Sequence, residues 1–398
     1  MREFQTAIIG AGAAGLTAAI SSKTMGSDTV ICERLTKIGK KILASGNGRC
    51  NLSNDDLSES HYNPASRSLV RSVLDRCGKT AIDSFFDELG LETYSEEGRI
   101  FPRTNQSSSV LKVLEIKLKS LSIPVETDFE VDRIEYSEKS FAVVSKSGKK
   151  IIARKVVITG GGMSYPALGS NGSAYKLATG LGHTIIKPVP AAVALVVKDR
   201  LCHILQGQRI RAKVKAVISG KVAAESDGDL LFTKYGLSGT AILDVSREIS
   251  VAINRDGDRD VSVCIDMAPF ISEEDLAGKL ESRIRKGCSP EDALSGILPL
   301  KIAAIIGASG KSSGGKKEMA SEVKSKSFAI SGTMGWNEAE FTAGGVDCNE
   351  VNPLTLESRL KKGIYLAGEI LDVDGDRGGY NLAWAWASGS VAGKAGHE

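Results

Sequence analysis

The sequence predicts an α/β protein: a Rossmann-like nucleotide-binding region whose pattern returns at the C-terminal end, after a β-rich insert with a small helical piece. Three observations predict it. A complete GxGxxG, Gly10-Ala11-Gly12-Ala13-Ala14-Gly15, follows a short apolar run and opens a helical stretch. From about residue 190 the pattern changes, and residues 209–218 alternate strictly between apolar and basic. Near the C-terminus the first style returns: an apolar run at 364–367, Gly368-Glu369, then a small-residue helix after Gly378-Gly379.

Composition bounds the function classes. The chain has 398 residues, 42% hydrophobic and 25% charged, as in soluble globular proteins with room for two or three domains. A net charge of +3 is too small to argue for a nucleic-acid partner. Seven cysteines without a CxxC suit reduced thiols in a cytoplasm, and no apolar run approaches a membrane span of about 20 residues. Histidines 61, 183, 203 and 397 have no metal-ligand spacing. GxSxG and HExxH are absent, and "GASGKSS" has Ile305 where a P-loop needs glycine, so 307–317 reads as a flexible basic loop.

Along the chain, residues 6–10 read as a strand and Leu16–Met25 as a helix closed by Gly26. Thr29–Cys32 reads as a second strand with Glu33 at its end. In that context each glycine has a role: a tight turn, backbone approach to a pyrophosphate, and close helix–strand packing. The helix start offers free N–H groups to phosphates, and Glu33 can accept hydrogen bonds from a ribose diol. Residues 68–118 look helical with a break near 96–104; 123–158 look β-rich, ending in a strand before Thr159-Gly160-Gly161-Gly162. "QRIRAKVKAVISG" reads as a half-buried antiparallel strand whose Arg209, Arg211, Lys213 and Lys215 form a solvated row. "DLLFTKYGLSGTAILDVS" and "VSVCIDMAP" continue the β insert, and Ser272 and Ser289 look like helix N-caps.

An N-terminal GxGxxG, a mid-chain TGG and a C-terminal G(D/E) together resemble FAD enzymes of the glutathione-reductase type. In that type the last acid, here Glu369 after Gly368, binds the ribitol. The following helix, from Gly378, Gly379, Tyr380 and Asn381, aims its N-terminus at the flavin pyrimidine ring. "AIIGAGAAGL", "KIGKKILASGNGRCNLSN", "TGGGMSYPALGSNG", "LLFTKYGLSG", "TAGGVD" and "GEILDVDGDRGGYNLAWAWASG" resemble the BaiN/RdsA (YhiN-like, aminoacetone-oxidase-like) family of NAD(P)/FAD-dependent oxidoreductases. The resemblance runs through essentially the whole chain. It implies a discontinuous FAD domain (1–189 and 336–398), a β-barrel-like insert (190–271 and 327–335) and a helical sub-insert (272–326). It also implies bound FAD and, in some members, reduction of a conjugated double bond in a steroid-like substrate.

On that resemblance the "SGNGRCN" loop lies along the flavin. Ser45, Gly46, Gly48 and Asn51 bring its backbone close, Lys40 and Lys41 face the pyrophosphate, and Arg49 neutralises phosphate or reduced flavin. Cys50, without a histidine or a second cysteine, reads as a packing residue. Gly10, Gly12, Ala13, Ala14, Gly15, Glu33 and Arg34 hold the dinucleotide; Val131 offers backbone to the adenine; Thr159, Gly160 and Gly161 line the cleft. Trp384 and Trp386 read as core. A carboxylate added at Gly379 is expected to disfavour reduced flavin. The reaction expected is transfer of a hydride from transiently bound NAD(P)H, through FAD, to a small organic acceptor. The alternatives are an oxidase of a small amine or ketone using oxygen, and a flavin-loaded binding protein with the basic strand facing nucleic acid.

Overall fold

The computed structural model describes residues 3–137, 139–313 and 316–395; His397 lies outside them. The chain divides into two compact units, 1–188 with 341–398, and 189–340.

In the first unit, β1 (Glu3–Ile9), α1 (Ala13–Thr24) and β2 (Thr29–Cys32) form the expected βαβ start. Strand β3 (Lys150–Ile158) pairs parallel with β1. The final strand, Ile364–Leu366, pairs parallel with the end of β3, while the antiparallel strand Ser140–Ser145 pairs with its beginning. Register sets the geometry of the sheet edge. Ile9 pairs with both Cys32 and Ile158, and Ile158 pairs with Leu366. Four strands therefore end level, and the residues just beyond them (Gly10, Glu33, Thr159 and Ala367, with Gly368 next) fall on one carboxyl edge. Open α/β sheets bind ligands at such an edge.

Helix α1 packs against the final helix, Tyr380–Lys394. Both are buried nearly all round, so neither has the one-sided apolar stripe of a surface helix. Their contact is close because the second helix carries glycine where it meets the first. A Cβ on Gly389 would overlap the carbonyl oxygen of Ala14, and one on Gly393 that of Ala18. Trp384 and Trp386 are both core, and each spends its indole N–H inside: on Gly368 O at 3.1 Å and on Leu52 O at 3.1 Å. The break near 96–104 is a hairpin, Thr93–Glu96 with Arg99–Pro102.

The second unit has its own core, from Leu195 to Ile330. Its seven-stranded antiparallel sheet runs in the order 326–329, 261–266, 209–218, 221–233, 236–238, 195–196, 332–333. Two sequence expectations are corrected here. Thr240–Ser250, read as strand, is a helix; it buries Ala241, Ile242, Val245, Ser246 and Ile249, a helical spacing. Residues 307–313, read as loop, belong to the helix Leu300–Ser313. Gly307 lies against the Glu291 backbone, where a Cβ would collide, so this glycine serves helix packing. Ser272 and Ser289 are N-caps, accepting from the N–H of Asp275 and of Asp292.

Candidate functional site

The fingerprint turn is braced by two side chains, Thr159 and Glu33. Thr159 Oγ1 donates to Ile9 O at 2.9 Å and Gly10 O at 3.0 Å. Glu33 accepts from Ala11 N–H at 2.7 Å through Oε2 and from Leu35 N–H at 2.8 Å through Oε1. A Cβ on Gly10 would strike Thr159 O, and one on Gly15 would overlap Gly10 O. Gly12 differs: a Cβ there meets no heavy atom within 4 Å. Ala13 and Ala14 begin α1, whose N-terminus no side chain caps among the described residues. The space at the Cβ position of Gly12 is thus open, beside N–H groups and the positive end of the helix dipole.

A second cluster joins segments far apart in sequence. Lys41, in the short helix α2 (Lys40–Ala44), places Nζ 2.6 Å from Glu369 Oε2 and 2.6 Å from Ser164 Oγ. Glu369 Oε1 accepts from Ser164 Oγ at 3.1 Å and from Thr342 N–H at 2.8 Å. Thr342 Oγ1 in turn accepts from Met163 N–H at 2.8 Å. Gly368, just before the acid, donates its N–H to Ser388 Oγ at 2.9 Å and accepts from Trp384. Gly161 and Gly162 leave room for this cluster: a Cβ on Gly162 would strike the Thr342 side chain. Ser164 and Thr342 are the members that sequence reasoning missed. Lys41 is paired with Glu369 across 328 positions of the chain.

The loop 45–54 adopts left-handed backbone at Gly46, Asn47, Gly48 and Cys50. Ser45 Oγ donates to Ile42 O at 2.7 Å. Cys50 is fully buried, and burial pushes its thiol up to about 12, so it is a packing residue. Arg49 turns to the neighbouring hairpin. It donates to Glu96 at 2.7 Å, Tyr94 Oη at 2.7 Å and Asn105 Oδ1 at 3.1 Å, and lies 4.0 Å over the Phe101 ring. The loop reaches the final helix through Asn54 Nδ2, which donates to Gly378 O at 3.0 Å. Gly379 has φ +105°, and a Cβ there would overlap Ser53 O, so a carboxylate added at Gly379 disrupts this contact and cannot report on flavin charge alone. Asn381 closes the preceding turn on Gly375, through both its amide atoms.

Among the described residues, three buried side-chain polar atoms lack a protein partner: Asn51 Oδ1, Ser53 Oγ and Arg34 Nε. Buried polar atoms are rarely left unsatisfied. Arg34 otherwise donates to Pro166 O at 3.3 Å, and Val131 starts the strand Val131–Ser137. The open face of Gly12, the bared start of α1 and these orphaned atoms fit a pyrophosphate-bridged dinucleotide. No helix is long and apolar enough to cross a membrane, and no cluster of potential metal ligands occurs, among the described residues.

The family model described as "HI0933-like protein Rossmann domain" matches residues 4–395. This chain belongs to the HI0933-like family. Among curated proteins of this similarity is a 3-dehydro-bile acid delta(4,6)-reductase of Clostridium scindens, 37% identical over 98% of each chain. A ribosomal RNA dihydrouridine synthase of Haemophilus influenzae is 28% identical over 96% of this chain and 95% of its own. Among solved structures, a flavocytochrome c3 fumarate reductase aligns with TM-score 0.52 at 15% identity, covering 99% of this chain and 78% of its own. A 3-ketosteroid-delta4-(5alpha)-dehydrogenase of Rhodococcus jostii aligns with TM-score 0.51 at 15% identity, covering 99% and 96%. These two establish likeness of fold. This HI0933-like chain is an oxidoreductase of the Rossmann FAD-binding class.

Proposed function

We propose that this chain binds FAD along the carboxyl edge of its sheet and reduces a carbon–carbon double bond conjugated to a carbonyl in a small organic molecule, with NAD(P)H as donor. The observation that carries the reading is the cleared, uncapped start of α1 at Gly12, with Glu33 and Thr159 at one level of the sheet edge and Gly368 one residue further on. FAD, when bound, supplies a two-electron hydride carrier. The chain's own residues position and neutralise. Gly12 and the start of α1 would receive phosphate, and Glu33 has lone pairs left for a ribose diol. Lys41 keeps Glu369 in a neutral pair, so the acid adds no net charge beside a dinucleotide already carrying two. Overall, NAD(P)H and a proton are consumed, the β-carbon of the acceptor gains hydride and its α-carbon gains the proton. A reductase of bile-acid enones among the relatives supports the acceptor class.

A second acceptor of the same chemistry is the uracil ring, whose C5=C6 bond is conjugated to a carbonyl, as the dihydrouridine synthase relative suggests. The basic row of the insert does not favour a nucleic-acid substrate. Arg209 pairs with Asp229, Arg211 with Asp227 at 2.9 Å and Lys213 with Glu225 at 3.1 Å, all across to the neighbouring strand. A row so paired has little charge left to displace counterions. The deciding experiment is anaerobic reduction of the yellow protein with NADH and NADPH, then reoxidation by a steroid enone, by uridine-containing RNA, or by oxygen. Enone turnover supports the proposal. Reduction only by an amine, with reoxidation by oxygen alone, makes the chain an oxidase.

A further inference from the structure

A histidine that the sequence reading gave no role sits against the start of the final helix. The ring of His61 stacks on Tyr380, centroids 4.3 Å apart and 19° from parallel. Its Nδ1 lies 3.0 Å from Asp376 Oδ2 and its Nε2 3.1 Å from Asp56 Oδ2. A neutral imidazole has one donor and one acceptor nitrogen, so it can satisfy one carboxylate while its lone pair faces the other. Only the imidazolium donates to both.

The two carboxylates belong to different segments. Asp56 follows the "SGNGRCN" loop, and Asp376 lies in the turn that leads into the final helix. Around His61 these segments run side by side. His61 O accepts from Asp376 N–H at 2.9 Å, Asn63 N–H donates to Asp374 O at 2.9 Å, and Tyr62 Oη donates to Tyr380 O at 2.9 Å. Asn63 Nδ2 also donates to Asp372 O at 3.0 Å. We infer that His61 is a positioning residue, a clamp that adds to these hydrogen bonds and tightens the 372–380 turn while its ring is protonated, and that it thereby modulates how tightly FAD is retained. The second half of this inference rests on the flavin reading above.

The charges around the ring support a single switching group. Partial burial opposes charging of the imidazole, and the two carboxylates outweigh it, so its pKa is raised above the ordinary 6.5. Tyr380 stays neutral, burial pushing its phenol up to about 12, and Tyr62 is pushed higher still. Arg99 faces Tyr380 from the hairpin. Arg67 is spent on the carbonyls of Ser60 and Tyr62, and Arg71 on Glu59. A raised histidine pKa makes the clamp fully present below the unfolded value of 6.5, and loses it as pH rises through the folded value.

The test has three arms. Ring NMR on FAD-free protein follows the titration of His61, whose midpoint is expected above 6.5 and lower in Asp376→Asn and Asp56→Asn. Amide exchange of 374–378 in the same FAD-free protein is expected to accelerate across that midpoint, beyond the intrinsic effect of pH. FAD affinity, read by fluorescence, is expected to fall severalfold across the same step in wild type; in His61→Gln it is weak throughout and lacks the step. A ring midpoint at or below 6.5, or an affinity step that persists unchanged in His61→Gln, overturns the inference. If wild type binds no FAD at any pH, the flavin reading fails, while the titration and exchange arms still decide the clamp.

Discussion

A Cβ built on Gly12 meets nothing within 4 Å, whereas one on Gly15 overlaps the Gly10 carbonyl oxygen. Two glycines of one motif therefore do different work, and mutation separates them. Gly12→Val is expected to fold with near-wild-type thermal stability and to purify almost free of flavin, as read by absorbance. Gly15→Val is expected to fail to fold. Glu33→Ala should weaken FAD binding by about 1–3 kcal/mol, the scale of a lost charged hydrogen bond. It should also lower the melting temperature of flavin-free protein, because Ala11 and Leu35 lose their acceptor. Another residue constellation invites a wrong reading. His183 has Nδ1 2.8 Å from Glu350 and Nε2 2.8 Å from Ser358 Oγ, the residue types of a hydrolase triad. Ser358 Oγ already accepts from the N–H of Leu360 and Lys361, and Ser358 is buried, so the oxygen is occupied and enclosed. Glu350, although burial opposes it, is held below the usual carboxylate range by the Thr184 N–H and the imidazole. Ser358→Ala should cost about 1–3 kcal/mol of stability in a denaturant titration. Wild-type protein should resist labelling by a fluorophosphonate, and labelling at Ser358 would reverse this reading. At this scale the sequence was legible where a local pattern defines a residue's place in the fold, as with Gly12 before α1 and Glu33 at the end of β2. It was silent on Ser164 and Thr342, since common hydroxyl residues 178 positions apart meet only because the sheet brings their segments together.

Among elements, the final helix shows how a composition becomes a contact. Its small residues were read as a helix near the site, and the structure gives the reason for them: Gly389 and Gly393, one turn apart, let it lie on α1 at Ala14 and Ala18. Gly389→Val should therefore destabilise by at least the 1–3 kcal/mol or so typical of overpacked cores. It should also weaken FAD binding, because α1 begins at the turn proposed to receive phosphate. The readout is a denaturant midpoint together with a flavin titration; loss of stability without loss of affinity would uncouple helix packing from the site. Elements whose period was clean were legible, including β1, α1, β2 and the alternating strand 209–218. The helix 240–250 was not, because "TAILDVS" is a short apolar run that suits either state until its partner surface is known. The helix 300–313 was hidden by glycines that read as loop signals but serve close packing, as at Gly307.

At the scale of the whole molecule, the insert has the features of an autonomous unit. Its core residues, from Leu195 to Ile330, all come from within 189–340. Its first and last strands, 195–196 and 332–333, pair antiparallel, Leu195 with Thr333 and Val196 with Gly332, so the chain enters and leaves at adjacent points. The sequence marked the change of style near 190 and the return near 336. It could not show that the two ends of the insert close on one another, because pairing between residues some 140 positions apart leaves no local trace. An excised segment 189–340 is expected to fold by itself and to unfold in urea in one cooperative step. Trp336 is its single tryptophan, whereas Trp384 and Trp386 belong to the other unit, so fluorescence isolates each. A domain of this size buries roughly 70% of the surface that its unfolded chain exposes, enough for a stable core. The urea slope should match the Trp336 transition within the full chain. A gradual transition, or a compact state that binds hydrophobic dye, would mean that the insert draws its packing from the remainder of the protein.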